Sequence, residues 1–262
     1  MAEISLAKRA LAELIGTFIL VLLGTGSVVT AVLILQGWTP VAGNDFNVGI
    51  DITAWVAIGL VFGLAVMTVI YTLGHISGAH INPAVSIALW TTKRLPTKDL
   101  IAYVVAQFIG ATLASLAIVL MWSSRAVDTG LGSTAMFSGV SYWQAIVIEA
   151  IGTFILMLVI MGTAVDRRAS PGWAGAAIGM VVAANIAVFG NLTGCGINPA
   201  RAFGPYLALS LTGGSDLWWQ YPIYLVGPIV GAIAAAWLYG YVSSATAEKE
   251  KQASPEAGGR PA

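Results

Sequence analysis

Two stretches of this sequence are near copies of one another: GHISGAHINPAVS at Gly74–Ser86 and GNLTGCGINPARA at Gly190–Ala202. Each contains the tripeptide Asn-Pro-Ala, and the tripeptides begin at Asn82 and Asn198, 116 residues apart (198 − 82). Asparagine is a favoured helix N-cap, and proline suits the first helical position because its missing N–H needs no partner there. Each stretch therefore predicts a helix that begins at Asn-Pro after an irregular, glycine-containing segment.

The composition around these stretches is that of a membrane protein. Of 262 residues, 58% are hydrophobic and 9% are charged, whereas soluble domains carry about 25% charged residues. The net charge is zero, so no basic face predicts a nucleic-acid partner. The single cysteine, Cys195, cannot form an internal disulfide. We therefore expect the lipid bilayer to be the solvent of most of the chain.

Six long apolar segments recur along the chain, each close to the roughly 20 residues that cross a bilayer. The first is far longer than the core of a signal peptide, so we interpret it as a retained span. The segments lie near 10–35, 54–73, 100–121, 142–164, 173–190 and 218–242.

The distribution of basic residues predicts cytoplasmic N- and C-termini, because basic residues accumulate on the inner side of a membrane. The predicted outer side has one basic residue, Arg125, with the acidic residues Asp45, Asp51, Asp128 and Asp216. The polar tail, 243–262, is predicted to be disordered. The predicted inner side receives Lys8, Arg9, Lys93, Arg94, Lys98, Arg167, Arg168, Lys249, Lys251 and Arg260.

A second repetition shows that the chain is built from two copies of a three-span unit. ELIGTFIL begins at Glu13 in the first span, and EAIGTFIL begins at Glu149 in the fourth. Since three is odd, the second copy enters the membrane from the opposite side, which makes an inverted repeat. The predicted parts are a first repeat at 1–121, an extracellular connecting loop at 122–141, a second repeat at 142–242 and the tail at 243–262.

The two motif stretches are followed by apolar segments too short to cross a bilayer, which in matching halves indicates a site at the midplane. We predict re-entrant loops at 74–91 and 190–210, each returning as a half-helix. The fold class is thus an all-α membrane protein with six transmembrane helices and two half-helices. Irregular backbone at that depth must line a cavity or be buried. The carbonyls predicted to line a pore belong to Gly78, Ala79, His80, Gly194, Cys195 and Gly196.

Two pairs of side chains complete the predicted centre. The amides of Asn82 and Asn198, with two helix N-termini behind them, would donate hydrogen bonds to a central water and repel cations. Glu13 and Glu149 lie inside spans, where a charge is costly and marks function. We expect each to accept hydrogen bonds from loop N–H groups; the alternative is a neutral glutamate bound to a neighbouring helix. His80 is expected to hold its loop through a backbone carbonyl.

The paired motifs Asn82-Pro83-Ala84 and Asn198-Pro199-Ala200, with Gly78-Ala79-His80 before one and Arg201 after the other, resemble the aquaporin (major intrinsic protein) family over residues 8–242. Stretches such as Trp143-Gln144-Ala145 most resemble archaeal aquaporins. The resemblance implies a right-handed bundle, a pore in every protomer, a homotetramer, the plasma membrane as location, and a passive channel that is no enzyme and uses no cofactor or metal.

The resemblance also implies four selectivity-filter residues, carried over by spacing from the motifs: Phe62, Ile186, Cys195 and Arg201. Water channels of the family have a histidine where this chain has Ile186. An apolar wall opposite Arg201 suits an amphipathic solute such as glycerol. We therefore expect fast passage of water, slower passage of glycerol, and exclusion of protons and ions. Small uncharged gases such as carbon dioxide or hydrogen sulfide are candidate solutes that the sequence leaves open.

One alternative is a glycerol-selective facilitator. A secondary transporter would need a coupling site, for which Glu13 and Glu149 are the only candidates. An intramembrane enzyme would need a catalytic or metal-binding set inside a span, whereas both histidines, His75 and His80, fall in one loop with no carboxylate or cysteine nearby. A junction protein gains no support from the small loops.

Overall fold

The structure is a computed structural model that describes residues 4–35, 52–137 and 139–253. Its described residues form nine α-helices. Short 3-10 turns at Gly130–Gly132 and Trp218–Gln220 and a π-helical turn at Met161–Val165 connect or extend them. The helices are α1 (Leu6–Leu35), α2 (Ile52–Ser77), α3 (Pro83–Thr91), α4 (Thr97–Trp122), α5 (Ser124–Asp128), α6 (Tyr142–Ile160), α7 (Ala174–Thr193), α8 (Pro199–Thr212) and α9 (Tyr221–Ala253).

Six of these helices are long and apolar enough to cross a membrane: α1, α2, α4, α6 with its π-helical turn, α7 and α9. Their bounds fall within a few residues of the predicted spans, apart from the extension of α9. At 1.5 Å per residue, the 9 residues of α3 and the 14 of α8 reach about 14 Å and 21 Å, less than the roughly 30 Å of a hydrocarbon core. The predicted class of six spans with two half-helices is confirmed.

The helices α2 and α7 cross through glycines at the centre of the molecule. A Cβ added to Gly179 would lie 2.5 Å from the carbonyl oxygen of Gly63, and one added to Gly63 would meet the carbonyl oxygen of Gly179. Small residues allow helix backbones in a membrane to approach this closely. The two glycines are 116 residues apart (179 − 63), the same separation as the two motifs, so the repeat axis passes through this crossing.

Equivalent glycine contacts occur within each half. On α4, a Cβ added to Gly110 would meet the carbonyl oxygen of Leu14 in α1. On α9, a Cβ added to Gly231 would meet that of Ala150 in α6. Leu14 and Ala150 directly follow the two repeated glutamates, so the two halves pack by the same contacts.

The C-terminal segment differs from the predicted disordered tail, because α9 continues through residues 243–253. This stretch consists largely of alanine, glutamate, lysine and glutamine, which are strong helix formers. Residues 254–262, with Arg260, lie outside the described residues, as do the predicted outer residues Asp45 and Asp51.

Candidate functional site

The half-helices α3 and α8 begin at the two Asn-Pro motifs, as the sequence predicts. Asn82 caps α3 and its Oδ1 accepts from the Ala84 N–H at 2.9 Å. Asn198 caps α8 and its Oδ1 accepts from the N–H groups of Ala200 at 3.0 Å and Arg201 at 3.3 Å. In each asparagine the side-chain oxygen therefore accepts within its own helix cap. This fixes the orientation of both amides, and Nδ2 is the donor that remains for other partners.

The two motifs bind each other across the centre. Asn82 Nδ2 donates to the carbonyl of Ile197 at 2.8 Å, and Asn198 Nδ2 donates to the carbonyl of Ile81 at 2.8 Å. One hydrogen of each amide therefore holds the opposite loop, and the second is available to a molecule in the cavity. Sequence reasoning missed the roles of Ile81 and Ile197. The shared Gly/His-Ile-Asn-Pro order was the signal that could have pointed to them.

The loops before the motifs have strained backbones. Ile81 and Ile197 have φ angles of 44° and 40°, and Ala79 and Cys195 have φ angles of 48° and 46°. A positive φ is unusual for any residue with a Cβ and costs most for a β-branched one. Such conformations persist only where surrounding groups hold them.

Glu13 holds the first loop. It is fully buried and accepts from the N–H of His80 at 2.9 Å, the N–H of Ile81 at 2.6 Å, and the hydroxyl of Ser77 at 2.7 Å. Gln107 Nε2 on α4 adds a fourth donor at 2.9 Å. The geometry is the one expected for a carboxylate that orders a loop backbone.

Glu149 holds the second loop in the same way. It accepts from the N–H of Gly196 at 2.8 Å, the N–H of Ile197 at 2.6 Å, and the hydroxyl of Thr193 at 2.6 Å. Thr193 lies 116 residues after Ser77 (193 − 77) and plays the same part, so both loops are held by the same construction.

His80 contacts a side chain rather than the backbone carbonyl expected from the sequence. Its Nδ1 lies 3.1 Å from the hydroxyl of Ser86, which also accepts from Gln107 Nε2 at 3.1 Å. The residue equivalent to Ser86 in the second motif is Ala202. The first loop is therefore supported by a polar cluster that the second loop does not share.

A continuous cavity of about 470 Å³ runs past both motifs. All four predicted filter residues lie on its wall: Phe62, Ile186, Cys195 and Arg201. The residues Gly78, Ala79, His80, Cys195 and Gly196, predicted to present pore-lining carbonyls, also lie there, together with Asn82 and Asn198. Gly194 is not part of the wall: it ends α7 in the left-handed conformation and packs against Thr134.

Arg201 is fixed inside the protein rather than extended toward the membrane surface. Its side chain is buried, and both Nη1 and Nη2 donate to the carbonyl of Gly132 at 3.2 Å. Its Cζ lies 5.1 Å from the centre of the Phe62 ring. Gly132 belongs to the segment that connects the two repeats, and sequence reasoning did not single it out. Its φ of 63° and the Thr25 carbonyl, 2.6 Å from an added Cβ, explain why glycine is needed.

The other end of the cavity is basic. Arg94, after α3, and Arg167, after the π-helical turn, line it, and none of the described carboxylates does. The adjacent Arg168 pairs instead with Asp166, Nη2 to Oδ2 at 2.6 Å. This pairing, with a hydrogen bond from the Tyr239 hydroxyl, holds the pKa of Asp166 far below its usual range.

A model of the major intrinsic protein family matches residues 1–239. The chain belongs to this family. The probable aquaporin AqpM of Archaeoglobus fulgidus is 54% identical over 244 residues, which cover 91% of this chain and 98% of the relative. The aquaporin AqpM of Methanothermobacter marburgensis is 50% identical over 247 residues, which cover 92% and 99%. The fold is also similar to the X-ray structure of the aquaglyceroporin from Plasmodium falciparum, with a TM-score of 0.78 and 25% sequence identity. The superposition covers 93% of this chain and 99% of the Plasmodium falciparum chain.

Membership of the major intrinsic protein family confirms the resemblance drawn from the two motifs. The chain is a multi-pass membrane protein of a channel family, not an enzyme. Within the described residues, no three His, Cys, Asp or Glu side chains group as metal ligands.

Proposed function

We propose that the protein is a passive channel for water that passes glycerol more slowly and excludes protons and ions. The observation that carries the proposal is the pair of asparagine amides on one continuous cavity. Asn82 and Asn198 approach from opposite half-helices, each with its oxygen engaged in a cap and a donor hydrogen available. A water between them accepts two hydrogen bonds, and its own hydrogens then point away from the centre.

Proton exclusion follows from that orientation. A proton moves along a file of waters only if each water can both accept and donate in one direction, and a central water held as a double acceptor interrupts this order. The N-terminal ends of α3 and α8 also place positive potential at the centre. Arg201 at one end of the cavity, and Arg94 and Arg167 at the other, add charges that repel cations.

Glycerol passage follows from the wall around Arg201. The guanidinium offers donors on one side, while Phe62 and Ile186 are apolar. A glycerol can bind the donors with its hydroxyls and lay its carbon atoms on the apolar wall. The side chain at position 186 is apolar, so it needs no hydrogen-bond partner. Replacing water by glycerol at this point therefore leaves no polar side chain there without a partner. Small uncharged gases such as carbon dioxide and hydrogen sulfide are further candidate solutes for the same passage.

Stopped-flow light scattering of reconstituted vesicles tests the proposal. Under a sucrose gradient, we expect shrinkage several times faster than in empty vesicles. Under a glycerol gradient, we expect equally fast shrinkage followed by re-swelling. Water flux no faster than in empty vesicles would contradict the channel. Re-swelling as fast as shrinkage would favour a glycerol-selective facilitator, which the structural similarity to the Plasmodium falciparum protein makes the second candidate.

A secondary transporter is a weaker alternative. Among the described residues, the candidate coupling groups Glu13 and Glu149 are buried and already accept hydrogen bonds from two loop N–H groups each. A coupling carboxylate must exchange such partners for an ion or proton during each cycle. Saturable uptake driven by an ion gradient would support the transporter instead.

We further propose that the protein is a homotetramer in the plasma membrane with both termini cytoplasmic. Family resemblance supports the tetramer. The orientation is supported by the basic residues Lys93 and Arg94 after α3, Lys98 in the first turn of α4, and Arg167 and Arg168 before α7. Chemical cross-linking in native membranes tests the tetramer. The expected result is a series of cross-linked species on a denaturing gel whose largest member contains four protomers. Protease protection of an N-terminal tag in inverted vesicles tests the orientation.

A further inference from the structure

The segment that connects the two repeats leaves a 3-10 turn at Gly132 and continues without regular secondary structure through residues 133–137. Buried backbone groups of such a segment need partners elsewhere in the protein. Residues of the second repeat bind four of them: the carbonyl of Gly132 by Arg201 at 3.2 Å, the carbonyl of Thr134 by the Tyr206 hydroxyl at 2.8 Å, the N–H of Met136 by Gln220 Oε1 at 2.7 Å, and the N–H of Phe137 by the carbonyl of Leu192 at 3.1 Å. The second repeat therefore fixes the path of the 132–137 segment.

Tyr206 and Arg201 lie on the same half-helix, α8, and bind this segment at carbonyls two residues apart. Both side chains are buried. Three other rings pack edge-on against the ring of Tyr206: Trp218, Tyr221 and Tyr224. The helix that carries the charge of the predicted filter thus also makes a second, well-packed contact with the backbone that positions this charge.

Thr134, the residue bound by Tyr206, also contacts the loop of a second predicted filter residue, Cys195. Gly194 directly precedes Cys195, and a Cβ added to Gly194 would lie 3.0 Å from the Cα of Thr134. A displacement of Thr134 would therefore reach Arg201 through the neighbouring carbonyl of Gly132 and Cys195 through Gly194. Two of the four predicted filter residues depend on where the 132–137 segment lies.

The internal repeat does not by itself require a tyrosine at this position. The residue of α3 equivalent to Tyr206 is Trp90, 116 residues earlier (206 − 90). Trp90 is 41% exposed, and its Nε1 donates to the hydroxyl of Thr97, the first residue of α4, at 3.1 Å. The buried contact with an irregular backbone segment thus belongs to Tyr206 at the end of the cavity that holds the predicted filter.

We propose that Tyr206 is a positioning residue of the selectivity filter, which holds Arg201 in place through the 132–137 segment. The inference rests on the proposed channel function. Without the Tyr206 hydroxyl, the buried carbonyl of Thr134 loses its donor, which is costly unless the backbone moves to find another. The carbonyl of Gly132 moves with it, and the guanidinium of Arg201 loses its fixed acceptor. A less fixed Arg201 lets the passage widen, which favours glycerol more than the smaller water.

Tyr206→Phe tests the proposal, because it removes the hydroxyl and keeps the packed ring. The readout is the ratio of glycerol to water permeability in one vesicle preparation, which does not depend on how much protein is active. We expect this ratio to rise about threefold, as the loss of one buried hydrogen bond allows. Tyr103→Phe is the matched control: Tyr103 is also buried, and its hydroxyl donates at 2.8 Å to the carbonyl of Ser77 in the first loop. We expect a lower melting temperature in both variants, but a wild-type ratio in Tyr103→Phe.

A second measurement separates positioning from a general structural role. Tyr206→Phe is repeated in an Arg201→Ala background, where the guanidinium to be positioned is gone. If Tyr206 acts through Arg201, its hydroxyl no longer matters there, and the double variant has the ratio of Arg201→Ala alone. If Tyr206→Phe does not fold, Gln220→Met replaces it in both backgrounds, because it removes the acceptor of the Met136 N–H from the same segment. The same rise in ratio is then expected.

The outcomes separate the inference from the function on which it rests. A ratio that Tyr206→Phe leaves unchanged, that Tyr103→Phe raises as much, or that rises by the same factor in the Arg201→Ala background overturns the positioning role. Wild-type vesicles that pass water no faster than empty ones overturn the channel function itself, independently of any variant.

Discussion

Arg201 is bound to the carbonyl oxygen of Gly132, to which both terminal nitrogens of its guanidinium donate at 3.2 Å. The charge in the predicted filter is thus positioned by backbone from the segment that joins the repeats. That backbone is itself fixed by α1, because an added Cβ at Gly132 would lie 2.6 Å from the carbonyl oxygen of Thr25.

Gly132→Ala is expected to displace the carbonyl that holds Arg201. The added Cβ meets Thr25 and must also adopt a positive φ, at a combined cost of a few kcal/mol. We expect a lower melting temperature in detergent and a raised ratio of glycerol to water permeability. Gly130→Ala is the control, since Gly130 has a similar φ of 76° and open space around its Cα. Equal ratios in the two variants would contradict the positioning role of Gly132.

Ile186→His tests the predicted filter directly. Histidine narrows the passage and adds a polar group that glycerol cannot satisfy while its carbon atoms pass Phe62. We expect glycerol permeability to fall at least about tenfold while water permeability falls much less. Ile186→Leu keeps the wall apolar and is expected to retain glycerol passage. Unchanged glycerol flux in Ile186→His would show that this residue is not at the narrowest point.

Glu149→Gln tests how the strained second loop is held. Glutamine replaces one accepting oxygen by a donor that faces the N–H of Gly196 or Ile197, and leaves buried donors without partners. We expect a loss of about 3 kcal/mol or more in unfolding free energy, seen as poor recovery of folded protein and a lower melting temperature. Asp128→Asn, which changes an exposed carboxylate in the same way, serves as the control. Similar behaviour of the two variants would mean that the loop does not depend on Glu149.

Gly63→Ala tests the helix crossing on the repeat axis. A methyl group there meets the backbone of Gly179, so α2 and α7 must move apart and their packing is lost. We expect a melting temperature lower by several degrees and reduced water permeability. On the same helix, Gly74→Ala adds a methyl whose nearest neighbour is the Ile70 side chain at 3.7 Å, and little change is expected. Comparable stability of both variants would contradict a tight crossing.

The fold was largely predictable because its signals are local or repeated. The thickness of the bilayer sets the length of the apolar spans, and the Asn-Pro order marks the first residues of α3 and α8. The matching ELIGTFIL and EAIGTFIL segments expose the two halves. The extension of α9 to Ala253 into the segment predicted as a disordered tail was not foreseen, because disordered segments and exposed helices share this charge pattern.

The contacts that position the site were less predictable, because they join residues far apart in sequence. Nothing near Gly132 indicates that its carbonyl binds Arg201, 69 residues later. The reciprocal bonds to Ile81 and Ile197 require the two loops to be placed first. Glu13 and Glu149 were exceptions, since a charge inside a span demands partners and the loops supply them.

The most direct test of the central claim measures water and proton flux in the same vesicles. Water permeability is read by light scattering, and proton entry by an internal pH dye under a potassium diffusion potential with valinomycin. The paired asparagine donors predict water flux far above that of empty vesicles with proton entry indistinguishable from theirs. Fast water flux accompanied by fast proton entry would contradict the account of Asn82 and Asn198.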